Sequence, residues 1–432
     1  MNRFAAFLLC SCFSAAFAQK PAHPVLLEAR PESVGLSSER LMRLDRVLQE
    51  YVDQKKLPGV AALIARDGRI VYHKGFGKDD IEAGTPLRRD AIFRIASQTK
   101  AITSTAVMML FEEGKLLLDE PVSNYIPAFK NQTVLSRFNE KDTTYTTIPA
   151  KREVTIRDLL THTSGIGYAG IGSKEANAIY AKAKIPSGIG TPNEKLSEKI
   201  PALGRLPLMH QPGERWTYGL NTDVLGYLVE VVSKQPFDEF LRSRIFDPLG
   251  MKDTFFYLPA DRHSRLTALY TEDSTKAYRK ILMRNGMSAD YPKQKGTFFS
   301  GGAGLSSTLY DYAIFLQMML NGGEYNGKRI LSPVSVRMMT MNQTPAIPNQ
   351  RFGLGFGIAS DREEARIGVS EGSFSWSGYF GTVYWVDPKE KIVALIFTQK
   401  VPNSYRDLAD KFRALLYQAI TDSEQPLFEA GK

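Results

Sequence analysis

Cysteine is nearly absent from this chain of 432 residues: Cys10 and Cys12 are the only two. After position 12 no disulfide, thiolate metal site or cysteine nucleophile can form. Histidine is scarce as well, confined to His23, His73, His162, His210 and His263. No two of them have the spacing that holds a catalytic metal, so neither a metal nor any other cofactor is expected. No apolar run is long enough to span a bilayer. Charge of one sign does not dominate: 55 basic residues against 46 acidic ones give +9 at pH 7. The basic residues are scattered, at most as pairs such as Lys55-Lys56 and Arg88-Arg89, so the basic stripe of a nucleic-acid partner is missing. Internal repeats and low-complexity tracts are missing too.

What is present begins with an export signal. Arg3 supplies a positive n-region, Phe4 to Phe17 an apolar h-region, and Ala16-Phe17-Ala18 a small-x-small cleavage site before Gln19. Residues 1–18 are therefore expected to be a cleaved signal peptide, and the mature chain to have no cysteine and no transmembrane segment. A bacterial periplasmic location follows, with lipid attachment at Leu9-Cys10-Ser11-Cys12 as the alternative.

The remainder is 43% hydrophobic over the whole chain, enough for one large core or two joined lobes. Ser38 to Asp53 reads as an amphipathic helix with Leu41, Leu44, Leu48 and Tyr51 on one face. Val60 to Ala65 and Ile70 to His73 flank Asp67-Gly68, a hairpin signal. Near the other end, Gly381 to Val386 and Ile392 to Thr398 flank Asp387-Pro388, and a helix follows from about Ser404 to Ala419. Strands at both ends with helices between predict an α/β fold in the α+β sense. One antiparallel sheet would be built from the two terminal regions, with a mostly helical lobe inserted. Residues 165–205 have weak periodicity and read as an irregular wall of a substrate cleft.

Chemistry concentrates at Ser97-Gln98-Thr99-Lys100. A separation of three places both side chains on one helical face, ahead of an apolar run from Ala101 to Leu110 that reads as a buried helix. A serine hydroxyl needs a base, and a lysine taken out of water gives up its proton more readily. Alone, the motif reads by default as a helix start with a solvated lysine, so its context must decide.

Two further segments add to it. In Pro212 to Gly226, Tyr218 stands at a loop-to-helix boundary, where its phenol can project into a cleft or be an ordinary half-buried ring. In Ser375 to Val386, alternation and aromatic content read as one strand, and Gly378 would let another backbone approach closely. Such a strand edge can supply an oxyanion-hole N–H or simply be an edge with a bulge. Gly301-Gly302-Ala303-Gly304 reads as a packing turn before a helix at Leu309 to Asn321. Gly368-Val369-Ser370-Glu371-Gly372 matches the G-x-S-x-G nucleophile elbow, but a strand follows it and no histidine lies after His263, so it is rejected.

Together these segments resemble the serine β-lactamase and penicillin-binding-protein superfamily, in its class C-like branch, and most of all the family VIII carboxylesterases. The resemblance runs from about Pro31 to Ala419. Arg94 to Lys100, Leu159-Leu160-Thr161-His162-Thr163-Ser164-Gly165, Tyr218 to Gly226, Ser300 to Leu305, Trp376-Ser377-Gly378 and Trp385 to Pro388 carry it. It implies a single catalytic domain over 19–432, with an α/β lobe at about 30–95 plus 290–425 and a helical lobe at about 96–289. It implies Ser97 as the acyl-accepting nucleophile, Lys100 and Tyr218 as a shared proton shuttle, and the backbone N–H groups of Ser97 and Tyr379 as the oxyanion hole. His162 matches a structural position.

Two departures bear on substrate. The branch usually carries Tyr-x-Asn where this chain has Leu220 with Asn221 one place later, and Lys-Thr-Gly where it has Trp376-Ser377-Gly378. Loss of the strand cation removes a contact for a substrate carboxylate and adds an apolar wall. The expected function is a secreted esterase on small, short-chain acyl esters, with Trp376, Ser377 and Gly378 contacting a small-molecule substrate. β-Lactamase, DD-peptidase or linear-amide hydrolase activity is the alternative, and non-catalytic binding of penicillin or peptidoglycan fragments is a second one. Oligomeric state is not legible.

Overall fold

The structure is a computed structural model and describes residues 23–423 apart from positions 192 and 285. The expected signal peptide lies outside the described residues. The strands that organise the fold are β1 (Leu27–Glu28), β2 (Gly59–Arg66), β3 (Arg69–Asp80), β4 (Gly357–Ile358), β5 (Phe374–Gly378), β6 (Thr382–Asp387) and β7 (Ile392–Phe397). The principal helices are α1 (Ser38–Asp53), α2 (Thr99–Glu112), α3 (Asn221–Ser233), α4 (Leu309–Leu320) and α5 (Asp407–Tyr417).

The sheet runs β1-β3-β2-β7-β6-β5-β4, with Thr85–Pro86 pairing β3 as its eighth strand. Every pair is antiparallel except β1 beside β3. The expected joining of the two chain ends occurs between β2 and β7, in a register that sets Leu63 opposite Leu395. The β2–β3 hairpin turns at Asp67 and Gly68, with φ of 48° and 71°, the positive pair that suits the twist of the strands.

Both faces of the sheet centre are covered, which is why β2 is buried at every residue instead of alternating. Val60, Ala62 and Ile64 pack with Leu41, Leu44 and Leu48 of α1 and Phe412 of α5. Ala61, Leu63 and Ala65 belong to the opposite core, with Ala313 and Leu316 of α4. Ile392, Ala394 and Ile396 of β7 repeat the first assignment, and Val393, Leu395 and Phe397 the second. The period of two thus sorts one apolar run between two layers of helices.

Three expectations are corrected. Ser375 to Val386 is not one strand: Gly381, at φ 91°, donates its N–H to the Gly378 carbonyl at 3.0 Å and folds the segment into the β5–β6 hairpin. Residues 165–205 contain two helices, Lys174–Lys182 and Leu196–Gly204. Their buried sets, Ala176, Ile179 and Tyr180 in one and Leu196, Ile200 and Leu203 in the other, are helical in period but too short to register in a long window. The C-terminal helix begins at Asp407, three residues later than expected. Among the described residues, no helix is long and apolar enough to cross a membrane.

His73 on β3 gives the fold a pH dependence. Burial, then the Arg89 charge beside it, lowers its pKa to about 4. The unfolded chain takes up this proton near pH 6.5 and the folded chain only near 4, so this contribution to stability is present above pH 6.5 and lost as pH falls between those values. Thermal melts at pH 7.0, 5.5 and 4.5 are expected to show a smaller acid-side drop in Tm for His73→Gln than for the native chain. Parallel curves would refute the assignment.

Candidate active site

Ser97 stands where the sheet edge, a strained turn and the buried helix α2 meet. It lies in a 3-10 turn, Ala96–Gln98, that leads into α2 and is not part of the α-helix as its spacing suggested. Ala96 has φ 43°, a left-handed conformation that raises the energy of a non-glycine residue by about 1 kcal/mol. The turn is held from both sides. Ile95 donates its N–H to Leu305 O at 3.1 Å, and Tyr312 donates its hydroxyl to Gln98 O at 2.7 Å. Upstream, the buried Arg94 guanidinium donates to Ala289 O at 2.9 Å and to Thr267 O at 2.8 Å.

Lys100 is only 2% exposed. Its ammonium reaches Gly302 O at 2.7 Å, Ser97 Oγ at 3.4 Å and Tyr168 Oη at 3.4 Å. Three N–H bonds therefore meet three oxygens, which is how a buried ammonium is kept. Gly301-Gly302-Ala303-Gly304 is more than a packing turn: it carries the carbonyl that anchors the lysine, and Gly301 O accepts from Thr103 at 2.7 Å. Behind it, Asp223 Oδ1 accepts from Ser300 Oγ at 2.5 Å and from Gly302 N at 3.4 Å. Burial raises the pKa of Asp223, opposed by Ser300 and by the Lys100 charge.

Aromatic rings enclose this lysine. Its Nζ lies 4.7 Å from the Tyr218 ring centroid and 5.5 Å from that of Tyr168, within cation–π range. The two tyrosines stack at 5.4 Å because their segments are laced together. Leu220 donates its N–H to Gly167 O, and a Cβ at Gly219 would sit 1.9 Å from Ile166 O, so glycine is required there. Burial, then Tyr218 and Asp223, raises the pKa of Tyr168 well above the ordinary phenol value, which leaves it a neutral hydroxyl. Trp376 packs 5.7 Å from Tyr218 and 5.2 Å from Phe352, and Trp216 lies 5.9 Å from Tyr218.

His162 lies 5.0 Å from Tyr218, and its Nδ1 faces the Asn221 amide nitrogen at 2.8 Å. Burial, with the Lys100 charge adding to it, lowers its pKa well below 6.5, so the ring is neutral. Asn221 also accepts from Ser164 and is fully buried. It does not stand in for the third residue of Tyr-x-Asn.

On the sheet side, β5 presses against the Ser97 turn. A Cβ at Gly378 would lie 2.3 Å from Ile95 O and 2.2 Å from Thr382 Oγ1, so only glycine lets the strand end come this close. Tyr379 begins the turn after it, half exposed, with Ser377 exposed on the strand before it. A cleft of about 580 Å³ opens on the far side of Tyr168 and Tyr218. Ser370, in the rejected elbow, is buried between the helix Asp361–Ile367 and β5, with its N–H on Asp387 at 3.1 Å. No group of three or more His, Cys, Asp or Glu able to hold a metal occurs among the described residues.

The structure thus brings Ser97, Lys100, Tyr218, Trp376 and Gly378 together, as the sequence reading grouped them. It adds Tyr168, Trp216, Asp223 and the Gly302 carbonyl. Asp223 had one signal in the sequence, as an acid in the first turn of α3 immediately before its apolar run from Val224. Tyr168, within a glycine-rich run, had none that separates it from a packing residue.

The Beta-lactamase family profile matches residues 44–418. Protein Rv1367c of Mycobacterium tuberculosis (strain H37Rv) is 34% identical over 84% of this chain and 90% of its own. Esterase EstB of Burkholderia gladioli is 29% identical over 88% of this chain and 94% of its own. Among solved structures, EstCE1, a hydrolase with promiscuous acyltransferase activity, superimposes with a TM-score of 0.74 at 24% identity, over 88% of this chain and 98% of that one. With the family matched over most of its length, this chain belongs to the Beta-lactamase family and is a serine hydrolase of the β-lactamase and penicillin-binding-protein superfamily.

Proposed function

We propose that the protein is an exported esterase that hydrolyses small, uncharged acyl esters through an acyl-enzyme at Ser97. The observation that carries this reading is the wall of the site beside Lys100. Where the β-lactamase pattern places a strand lysine, Trp376 packs against Tyr218 and Phe352. An indole offers an ester apolar contact and offers a carboxylate nothing. The name of the esterase relative points the same way.

In this reading Ser97 Oγ attacks the ester carbonyl carbon while its proton passes to the phenolate oxygen of Tyr218, paired with the Lys100 ammonium. The carbonyl oxygen, now negative, is held by the backbone N–H groups of Ser97 and Tyr379. The C–O bond to the alcohol breaks and the same proton goes to the leaving oxygen. A water then repeats the sequence on the acyl-enzyme, releasing the acid and returning the proton to Ser97. Tyr168, as a neutral phenol on Lys100, keeps the ammonium aimed at Ser97.

Ser97→Ala is expected to lower kcat at least ~10³-fold, whereas Ser370→Ala keeps most of the activity; the reverse pattern in ester hydrolysis assays would sink the assignment. Tyr168→Phe, which deletes one long hydrogen bond to a cation worth ~1 kcal/mol, is expected to lower kcat about five-fold with little change in KM. A rise in KM alone would make Tyr168 a binding residue instead. The discriminating comparison is kcat/KM for a short activated ester against a chromogenic cephalosporin. Preference for the ester supports the proposal, and preference for the cephalosporin transfers the reading to β-lactamase.

A further inference from the structure

We propose that the 580 Å³ cleft beyond Tyr168 and Tyr218 is the subsite for the alcohol arm of the ester, and that this arm is bulky and apolar, an arylalkyl alcohol in chemical class. The inference rests on the esterase reading above and deepens it.

The lining carries the first part of the argument. Leu135, Phe138, Met209 and Trp216 join Tyr168 and Tyr218 around the cleft. Roughly 150 Å³ suffices to take benzene, so a cleft of about 580 Å³ has room for a fused two-ring group. Arg215 and Glu175 also line it. One cation and one anion give no preference for a charged arm. The remaining polar lining, Ser136, Ser173, His210 and Thr217, is neutral, His210 because burial holds it off its charged form. Shape and apolar contact then select the occupant.

Which arm enters follows from the order of bonds. Ser97 holds the carbonyl carbon, and the leaving oxygen must lie beside the group that protonates it. Tyr218 is both that group and a wall of the cleft, whereas Ser97 does not line it. Whatever is bonded to the leaving oxygen therefore continues past Tyr218 into the cleft. The chemistry balances without a co-reactant other than water. The Ser97 Oγ–carbon bond forms, the carbon–alkoxy bond breaks, the alcohol leaves with the serine's proton, and water then releases the acid.

The test uses the full chain and four esters: methyl acetate, benzyl acetate, 2-naphthylmethyl acetate and methyl 2-naphthylacetate. Benzyl and naphthylmethyl alcohols are alkoxide leaving groups, so the series varies size without the activation of a phenol. The native enzyme is expected to favour benzyl over methyl acetate at least ten-fold in kcat/KM. Met209→Trp, which narrows the cleft, is expected to cut the naphthylmethyl-to-methyl ratio at least ten-fold. Ser136→Trp does the same from an exposed rim position, where a large ring does not disturb packing. The ratio of methyl 2-naphthylacetate to methyl acetate is expected to stay constant.

If both folded variants keep the native alcohol ratios, or if the acyl ratio falls instead, the subsite assignment is overturned. If none of the four esters gives turnover that Ser97→Ala removes, the esterase reading itself fails, a different result from altered ratios.

Discussion

A single ammonium group buried beside a serine is the constraint on which this structure turns. Lys100 lies at the start of a helix whose next ten residues are all buried, and nothing on that helix can satisfy its charge. The oxygens that do so come from three places in the chain: Ser97 one turn back, Tyr168 from the middle, and Gly302 from the approach to α4. Leaving one of those N–H groups unpaired in the interior would cost about 1–3 kcal/mol. The fold therefore has to hold distant segments in fixed register around one atom. The ties that do this, Arg94 to residues 267 and 289, Leu305 to Ile95, and Gly167 to Leu220, are backbone carbonyls taken up by side chains or amides.

The same constraint explains the aromatic surround. Water near the lysine would compete for its hydrogens and weaken every charge interaction in the site. The rings of Tyr168 and Tyr218 cover the ammonium with faces that attract a cation, and Trp216, Phe352 and Trp376 pack around them. Neutral His162 and the neutral Tyr168 hydroxyl follow from the same enclosure, since burial penalises the charged form of each. Asp223 lies on the other side of Gly302, where it accepts hydrogen bonds from Ser300 and the Gly302 N–H while burial raises its pKa.

Much of the fold was legible because its signals are local and periodic. The face of α1 that carries Leu41, Leu44, Leu48 and Tyr51 is the buried one, and the Asp67-Gly68 turn sits between strands as expected. The errors have physical causes. Phe380 and Tyr384 continue an apolar alternation across a turn that only the positive φ of Gly381 reveals. The helices at 174–182 and 196–204 have two turns each, so tertiary packing decides them more than pattern does. In the site, Ser97 and Lys100 were visible because three residues separate them. Tyr218 and Trp376 were visible by their likeness to a family pattern. Tyr168 was not, since its importance comes from lying opposite Lys100, 68 positions away in the chain.

The sequence by itself determined the components: a serine and a lysine one turn apart, an apolar helix behind them, two end regions able to pair as one sheet, and tryptophan in place of a strand lysine. Each of these depends on neighbours within a few residues, where periodicity and turn chemistry act. Only the tertiary structure decided the partners of Lys100, the burial of Asn221 against His162, and the cleft beyond Tyr218. Those depend on which distant backbone groups come to face one another, and close packing of the whole chain settles that.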